Sequence, residues 1–292
     1  MKSMKSFFDK VKFQSMEPLS IGEDDIFSEL VEKKGSSLFL GKYSIDAVNS
    51  VLRKRNFYRE AQKRGLFPVK FDLDSSEFPP LQRFRIFFET AQPENLVVDL
   101  RIREGLYKLV EHAGPEAPDF KGFPQKEYKF LALEWLTLQH PHMSFSKKRY
   151  PLPGQEHPGL GLGRKVLFLF IYLARLNRDE GILAFPAYFH NALLFARSFH
   201  FINPEKEGEI LAIKKALSKV SFHEMAWIVH LNCLKDSKNK TYEWFAEEQV
   251  FPIDKGLKNY FDSAAYKKRV RQTLRESSFS VDWACFRKKF KQ

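Results

Sequence analysis

The stretch His157-Pro158-Gly159-Leu160-Gly161-Leu162-Gly163-Arg164-Lys165 sets three glycines at alternate positions ahead of a long apolar run. Glycine has no Cβ, so the backbone here can turn its N–H groups inward. A helix starting behind the loop adds the positive end of its dipole. Together these features cradle a phosphate or pyrophosphate, with Arg164 and Lys165 adding charge. Val166 follows Lys165, so the Ser or Thr that holds magnesium in a P-loop is absent. Nor does Gly159-x-Gly161-x-Gly163 follow the G-x-G-x-x-G pattern of dinucleotide-binding turns. Nucleotide hydrolysis and dinucleotide redox chemistry both lose ground.

Glu134 is the next residue with chemical potential. It is the one charge in the apolar run 130–138, so it either faces water in an ion pair or has a use. In a partly apolar cleft a carboxylate gains a raised pKa suited to a general base. His140, His142 and His157 invite a zinc reading, but no carboxylate or cysteine stands at matching spacing, and no metal is expected. Cys233 and Cys285, the two cysteines, form no disulfide framework or metal knuckle, which fits a reducing compartment.

These residues need elements to hold them. Residues 1–20 have no clear period. A helix is expected over 22–33 and a second from Ser44, with Ile45, Val48, Val51 and Leu52 on one face and Gly65 as its C-cap. Strands follow at 67–73, 81–89 and 96–103, the last two as a hairpin. In 96–103 the residues Val97, Asp99, Arg101 and Arg103 alternate with Leu96, Val98, Leu100 and Ile102. After a Pro/Gly-rich loop at 114–122, residues 129–138 read as a central strand, apolar on both faces. A long link, 139–158, leads to the glycine loop and to a buried helix over 166–176. A strand at 181–185, a helix at 191–198 and a strand at 199–202 come next. Beyond 205 the chain reads as mainly helical. The expected class is α/β, a mixed and largely antiparallel central sheet flanked by helices. The expected division is a helical extension (1–66), a core (67–204) and a basic helical C-terminal region (205–292).

The formal charge of +12 and the 43% hydrophobic content describe a basic chain with a real core. Runs at 53–64, 266–271 and 287–291 permit nucleic acid as a partner, and such runs are more often solvated helix faces. The N-terminus lacks the apolar run of a signal peptide, and the longest apolar run is far short of a membrane span. The expectation is a soluble, cytoplasmic protein; the oligomeric state is open.

The order strand, glycine loop, helix, strand, and the spacing of Asn191-Ala192, Phe195-Ala196 and His200-Phe201, resemble the GNAT superfamily of acyl-CoA-dependent N-acyltransferases over residues 81–203. That resemblance implies acetyl-CoA or another acyl-CoA as substrate and an amine as acceptor. It implies that N–H groups of Leu160, Gly161, Leu162, Gly163 and Arg164, after Gly159, hold the pyrophosphate, with Lys165 nearby. It further implies that the backbone edge of Leu136 and Leu138 pairs with pantetheine, and that Asn191 lies beside it. Glu134 would be the base, with Tyr188 and His190 as candidates to protonate the departing thiolate. The alternative is a non-catalytic nucleic-acid-binding or CoA-binding protein, supported by basic and aromatic residues interleaved at 54–59.

Overall fold

A computed structural model describes residues 37–79, 81–108, 126–146 and 149–290. The helix expected over 22–33 and the loop at 114–122 lie outside these residues. Helix α1 (Ile45–Lys54) starts where Ser44 accepts a hydrogen bond from the Ala47 N–H at 3.1 Å. It does not run on to Gly65. Asn56 adopts a left-handed conformation, φ 60°, which Asn tolerates better than most residues, and the chain restarts as α2 (Phe57–Gln62).

The strands are β1 (Val69–Asp74), β2 (Gln82–Phe88), β3 (Leu96–Lys108), β4 (Glu127–Leu138), β5 (Gly181–Ala184), β6 (His200–Phe201), β7 (Leu234–Asp236), β8 (Gln249–Pro252) and β9 (Phe279–Val281). Between them lie α3 (Gly163–Leu176), α4 (Phe189–Phe195), α5 (Pro204–Ala216), α6 (Phe222–His230), α7 (Lys255–Asp262), α8 (Ala264–Glu276) and α9 (Trp283–Lys289). Seven strands form one mixed sheet in the order β1-β2-β3-β4-β5-β8-β6, while β7 and β9 pair separately. Among the described residues β4–β5 is the sheet's parallel pair; the rest are antiparallel.

The C-terminal region is not simply helical. Strand β8 inserts between β5 and β6, so the sheet draws on both sides of the expected boundary at 204. Four residues are too few to show a period, and Pro252 at the strand's end disguises it further.

Helices α1, α2 and α3 bury one face of the sheet through Leu52, Phe57, Phe84, Ile86, Leu100, Leu133 and Phe170. Helices α7 and α8 cover the other face of β4, β5 and β8 through Leu257, Tyr260, Phe261 and Tyr266. A third cluster joins α4, α5, α6 and α9 around Ile213, Ile228, Cys233 and Phe286. On β3 burial alternates only in the later part of the expected stretch: Leu100 and Ile102 are buried, Arg101 is exposed and Arg103 half-buried, but Val97, Val98, Asp99 and Leu100 are buried in succession.

Candidate active site at the split between two strands

Strands β4 and β5 pair from Phe130–Gly181 to Leu133–Ala184 and then separate. Beyond that point β4 continues to Leu138 with no β5 partner, and β5 ends at Ala184, ahead of Phe185-Pro186. The separation begins at a bulge. Arg101 pairs with Trp135 and Ile102 with Leu133, leaving Glu134 as the extra residue. The insertion also resets the alternation of side chains. Leu131 and Leu133 belong to the core under α3, and so do Leu136 and Leu138, which a regular strand would turn the other way.

Glu134 is half-buried, and its Oε1 accepts a hydrogen bond from Arg103 Nε at 2.6 Å. Two more cross-strand carboxylate–arginine pairs, Asp99–Arg83 at 2.7 Å and Asp72–Arg85, lie beyond it towards β1. What distinguishes Glu134 from them is its place on the bulge, at the mouth of the split.

The glycine loop returns to this end of β4. The Leu160 N–H donates to the Leu138 carbonyl at 3.2 Å, and the His140 N–H donates to the Pro158 carbonyl at 2.8 Å. These bonds occupy part of the backbone edge expected for a ligand: the Leu138 carbonyl and the Leu160 N–H are already paired. By strand alternation the Leu136 peptide groups face the same side. Gly159 lies close against β4, where an added Cβ would meet the Leu138 oxygen at 3.6 Å. Gly161 has φ +69°, and added Cβ atoms at Gly161 or Gly163 would meet open space.

Helix α3 begins at Gly163 with Leu162 as an N-cap that offers no side-chain bond. Its first-turn N–H groups, on Gly163, Arg164 and Lys165, have no acceptor among the described residues. Arg164 is exposed. Lys165 Nζ contacts Glu60 Oε1 at 2.8 Å, and hydrogen bonds from Lys165 and then Arg64 hold the Glu60 carboxyl down at about 2. A pocket of about 260 Å³ opens beside this turn, lined by Lys54, Arg55, Asn56, Phe57, Leu162 and Lys165 among others. It joins the first basic run to the glycine loop, a juxtaposition that residues a hundred apart do not announce in sequence.

The long link packs against α4 and α6. Gly154, at φ +75°, lies so close to Tyr188 that an added Cβ would sit 2.3 Å from the hydroxyl. The Trp227 Nε1–H donates to the Pro151 carbonyl at 2.8 Å. The Tyr188 ring stacks on His190, 5.4 Å between centroids, and stands 5.9 Å from His230. Burial, and then the neighbouring His230, push the His190 imidazole down to about 4. His190 is therefore neutral at pH 7. Asn191 is half-buried on α4. Nothing in the sequence marked Gly154 or His230 as neighbours of Tyr188.

The other histidines stand apart. His140 Nε2 bonds the Arg64 carbonyl oxygen and His142 Nε2 bonds Asn95 Oδ1, both at 2.9 Å. Among the described residues no group of three His, Cys, Asp or Glu is arranged to hold a metal. No helix among them is long and apolar enough to cross a membrane.

No family model matches the chain, and no curated protein matches it. Among solved structures, AtaT complexed with acetyl-methionyl-tRNAfMet superposes at 13% identity and a TM-score of 0.25, covering 56% of this chain and 81% of that one. A superposition that loose assigns neither a fold family nor an activity.

Proposed function

We propose that the chain is an acyl-CoA-dependent N-acyltransferase of the GNAT type, passing an acyl group to an amine by direct attack in a ternary complex. The observation that carries this reading is the opening of β4 from β5 at the Glu134 bulge, with the uncapped first turn of α3 at the same end of the sheet. A bulge leaves backbone N–H groups outside the ladder, and such donors polarise a thioester carbonyl. N–H groups of Gly161 to Lys165 receive the pyrophosphate, and the Lys54–Lys165 pocket adds positive charge for the nucleotide end.

Arg103 fixes the Glu134 carboxylate in place to take a proton, directly or through water, from the attacking amine. As the carbon–nitrogen bond forms, the carbon–sulfur bond breaks and the thiolate takes up a proton. Tyr188 serves better for that last step than His190, because a neutral, buried imidazole carries no surplus proton. His190 instead stacks on the Tyr188 ring and limits its orientation.

Titration calorimetry with CoA and acetyl-CoA, followed by a thiol-release assay over a panel of amines, tests the proposal. Saturable CoA binding that is lost on changing the glycine loop supports it. No heat at millimolar CoA would sink it. Salt-dependent retention on RNA that ignores the loop but vanishes on charge reversal at 53–64 would instead favour a nucleic-acid-binding protein.

A further inference from the structure

Cys233 and Cys285, 52 residues apart, place their Sγ atoms 2.9 Å from each other as free thiols. Backbone bonds on both sides hold them there. The Cys233 N–H donates to the Ile228 carbonyl, and the Cys233 carbonyl accepts from the Asp282 N–H, each at 2.9 Å. Asp282 in turn caps α9, its Oδ1 accepting from the Cys285 N–H at 2.9 Å. Phe286, one residue on, packs into the same core as Cys233. The two sulfurs thus meet through a stitched backbone, and joining them asks for side-chain rotation more than chain movement. Cys233 is fully buried, whereas Cys285 is partly exposed.

We propose that Cys233 and Cys285 are a modification site, forming a reversible intramolecular disulfide when the protein meets hydrogen peroxide. Cys285, the more accessible of the two, reacts first. Its thiol proton is released, the sulfur attacks one peroxide oxygen, and the O–O bond breaks to give a sulfenic acid and water. The Cys233 sulfur then attacks the Cys285 sulfur as the S–O bond breaks. The Cys233 proton leaves with the hydroxyl as a second water. Two thiols are oxidised to one disulfide, and one peroxide is reduced to two waters. Burial, then the contact with Cys285, push the Cys233 thiol up to about 12, which keeps it from reacting with peroxide first; its part in the second step rests on the 2.9 Å approach to the Cys285 sulfur. The bond would fasten α9 to the end of α6, the helix whose Trp227 ring packs 5.8 Å from Phe290 of the C-terminal segment. The site lies in the third core, and the proposal stands or falls independently of acyl transfer.

The test treats the full chain with a slight excess of peroxide, quenches it, denatures it and alkylates with N-ethylmaleimide before mass spectrometry. The expected protein is two hydrogens lighter, takes no maleimide and yields one linked peptide holding both cysteines. Dithiothreitol should restore two adducts. Cys285→Ser should take one adduct and give no linked peptide. Oxidation should raise the wild-type Tm by on the order of 5 °C, since the closed loop is long, and leave that of the variant unchanged. Two adducts after peroxide would overturn the proposal. So would sulfinic acid at Cys285 beside an alkylated Cys233, or linkage only between chains. The wild-type readout decides the matter even where a variant folds poorly.

Discussion

At its Lys129 end, β4 is tied to β5 by charge as well as by backbone, and at its Leu138 end it has neither tie. Lys129 Nζ lies 2.8 Å from Glu104 Oε1 and 3.1 Å from Asp179 Oδ1, with Lys42 on the far side of Glu104. The Glu180 N–H donates to the Lys129 carbonyl at 2.7 Å, and Glu180 Oε2 accepts from the Lys129 N–H at 2.9 Å. At the other end Glu134 steps out of the ladder and the strands diverge. The closed end is filled by these pairs, and a donor it leaves over, Asn177 Nδ2, is buried out of a ligand's reach. The open end keeps unpaired backbone, one carboxylate and an uncapped helix. One strand pair thus supplies an anchor and a cleft, and the anchor lets the cleft stay open without unravelling the sheet.

The sharpest way to break this contrast is Glu134→Gln. With Glu134 as the base, thiol release with an amine acceptor should fall by about 100-fold or more in kcat, the KM for acyl-CoA changing little. Asp72→Asn breaks a similar pair, Asp72–Arg85, away from the bulge and should leave turnover alone. Equal effects from the two variants would mean that Glu134 is only another sheet ion pair. Gly163→Glu is the next largest. An acidic residue in the first turn favours the helix by about 0.3–1 kcal/mol, and the added Cβ meets no protein atom. Thermal melting should therefore hold steady or rise slightly. Calorimetry should show CoA affinity down by at least about 10-fold, because the new carboxylate meets the phosphates. Unchanged affinity would remove the phosphate-cradle role from this loop.

Much of this frame was legible in the sequence, because β2, β3, β4 and α3 carry long, regular patterns. The alternation from Leu96 to Arg103 and the apolar run after Lys165 mark a strand and a helix, although Val97 and Asp99 on the polar side of that strand are buried as well. The parts that stayed hidden depend on short or distant features. A bulge is a single extra residue, visible only when Arg101 is found opposite Trp135 and Ile102 opposite Leu133. Strand β8 has four residues and no period of its own. The break at Asn56 turns on one φ angle. Around the candidate site, Glu134 and the glycines stood out by type, whereas the contacts of Gly154 with Tyr188 and of Lys54 with the α3 pocket span many residues. Pattern reads along the chain, and these contacts lie across it.

The smallest expected effect sharpens the closed end. Burial, and then the adjacent Glu104 carboxylate, push the Asp179 carboxyl up to about 7. Glu104 goes the other way: burial raises it, but hydrogen bonds from Lys129 and Lys42 outweigh that and leave it below its ordinary value. Tyr43, Tyr172 and Asn177 complete the surroundings, with the Tyr43 hydroxyl donating to Asn177 Oδ1. The folded Asp179 binds its proton more tightly than the unfolded chain does. Between about pH 4 and pH 7 the native state therefore holds more protons, and the stability this provides is lost as pH rises through about 7. Glu104 contributes with the opposite sign, but at lower pH, below its ordinary carboxylate value. From pH 5 to 8 the Asp179 contribution alone should lower stability by on the order of 2 kcal/mol in urea titrations. The neutral, buried His190 contributes with the opposite sign below about pH 6.5, so the quantity to read is the difference between the wild type and Asp179→Asn. Asp179→Asn cannot ionise, so the wild type should lose stability relative to it as pH rises from 5 to 7, and the variant should be the more stable at pH 8. Parallel pH curves for the two proteins would show that Asp179 is ionised throughout and that charge pairing alone closes this end. In either case CoA binding at the far end of β4 should not follow the titration, which is the independence of the two ends that the sheet geometry implies.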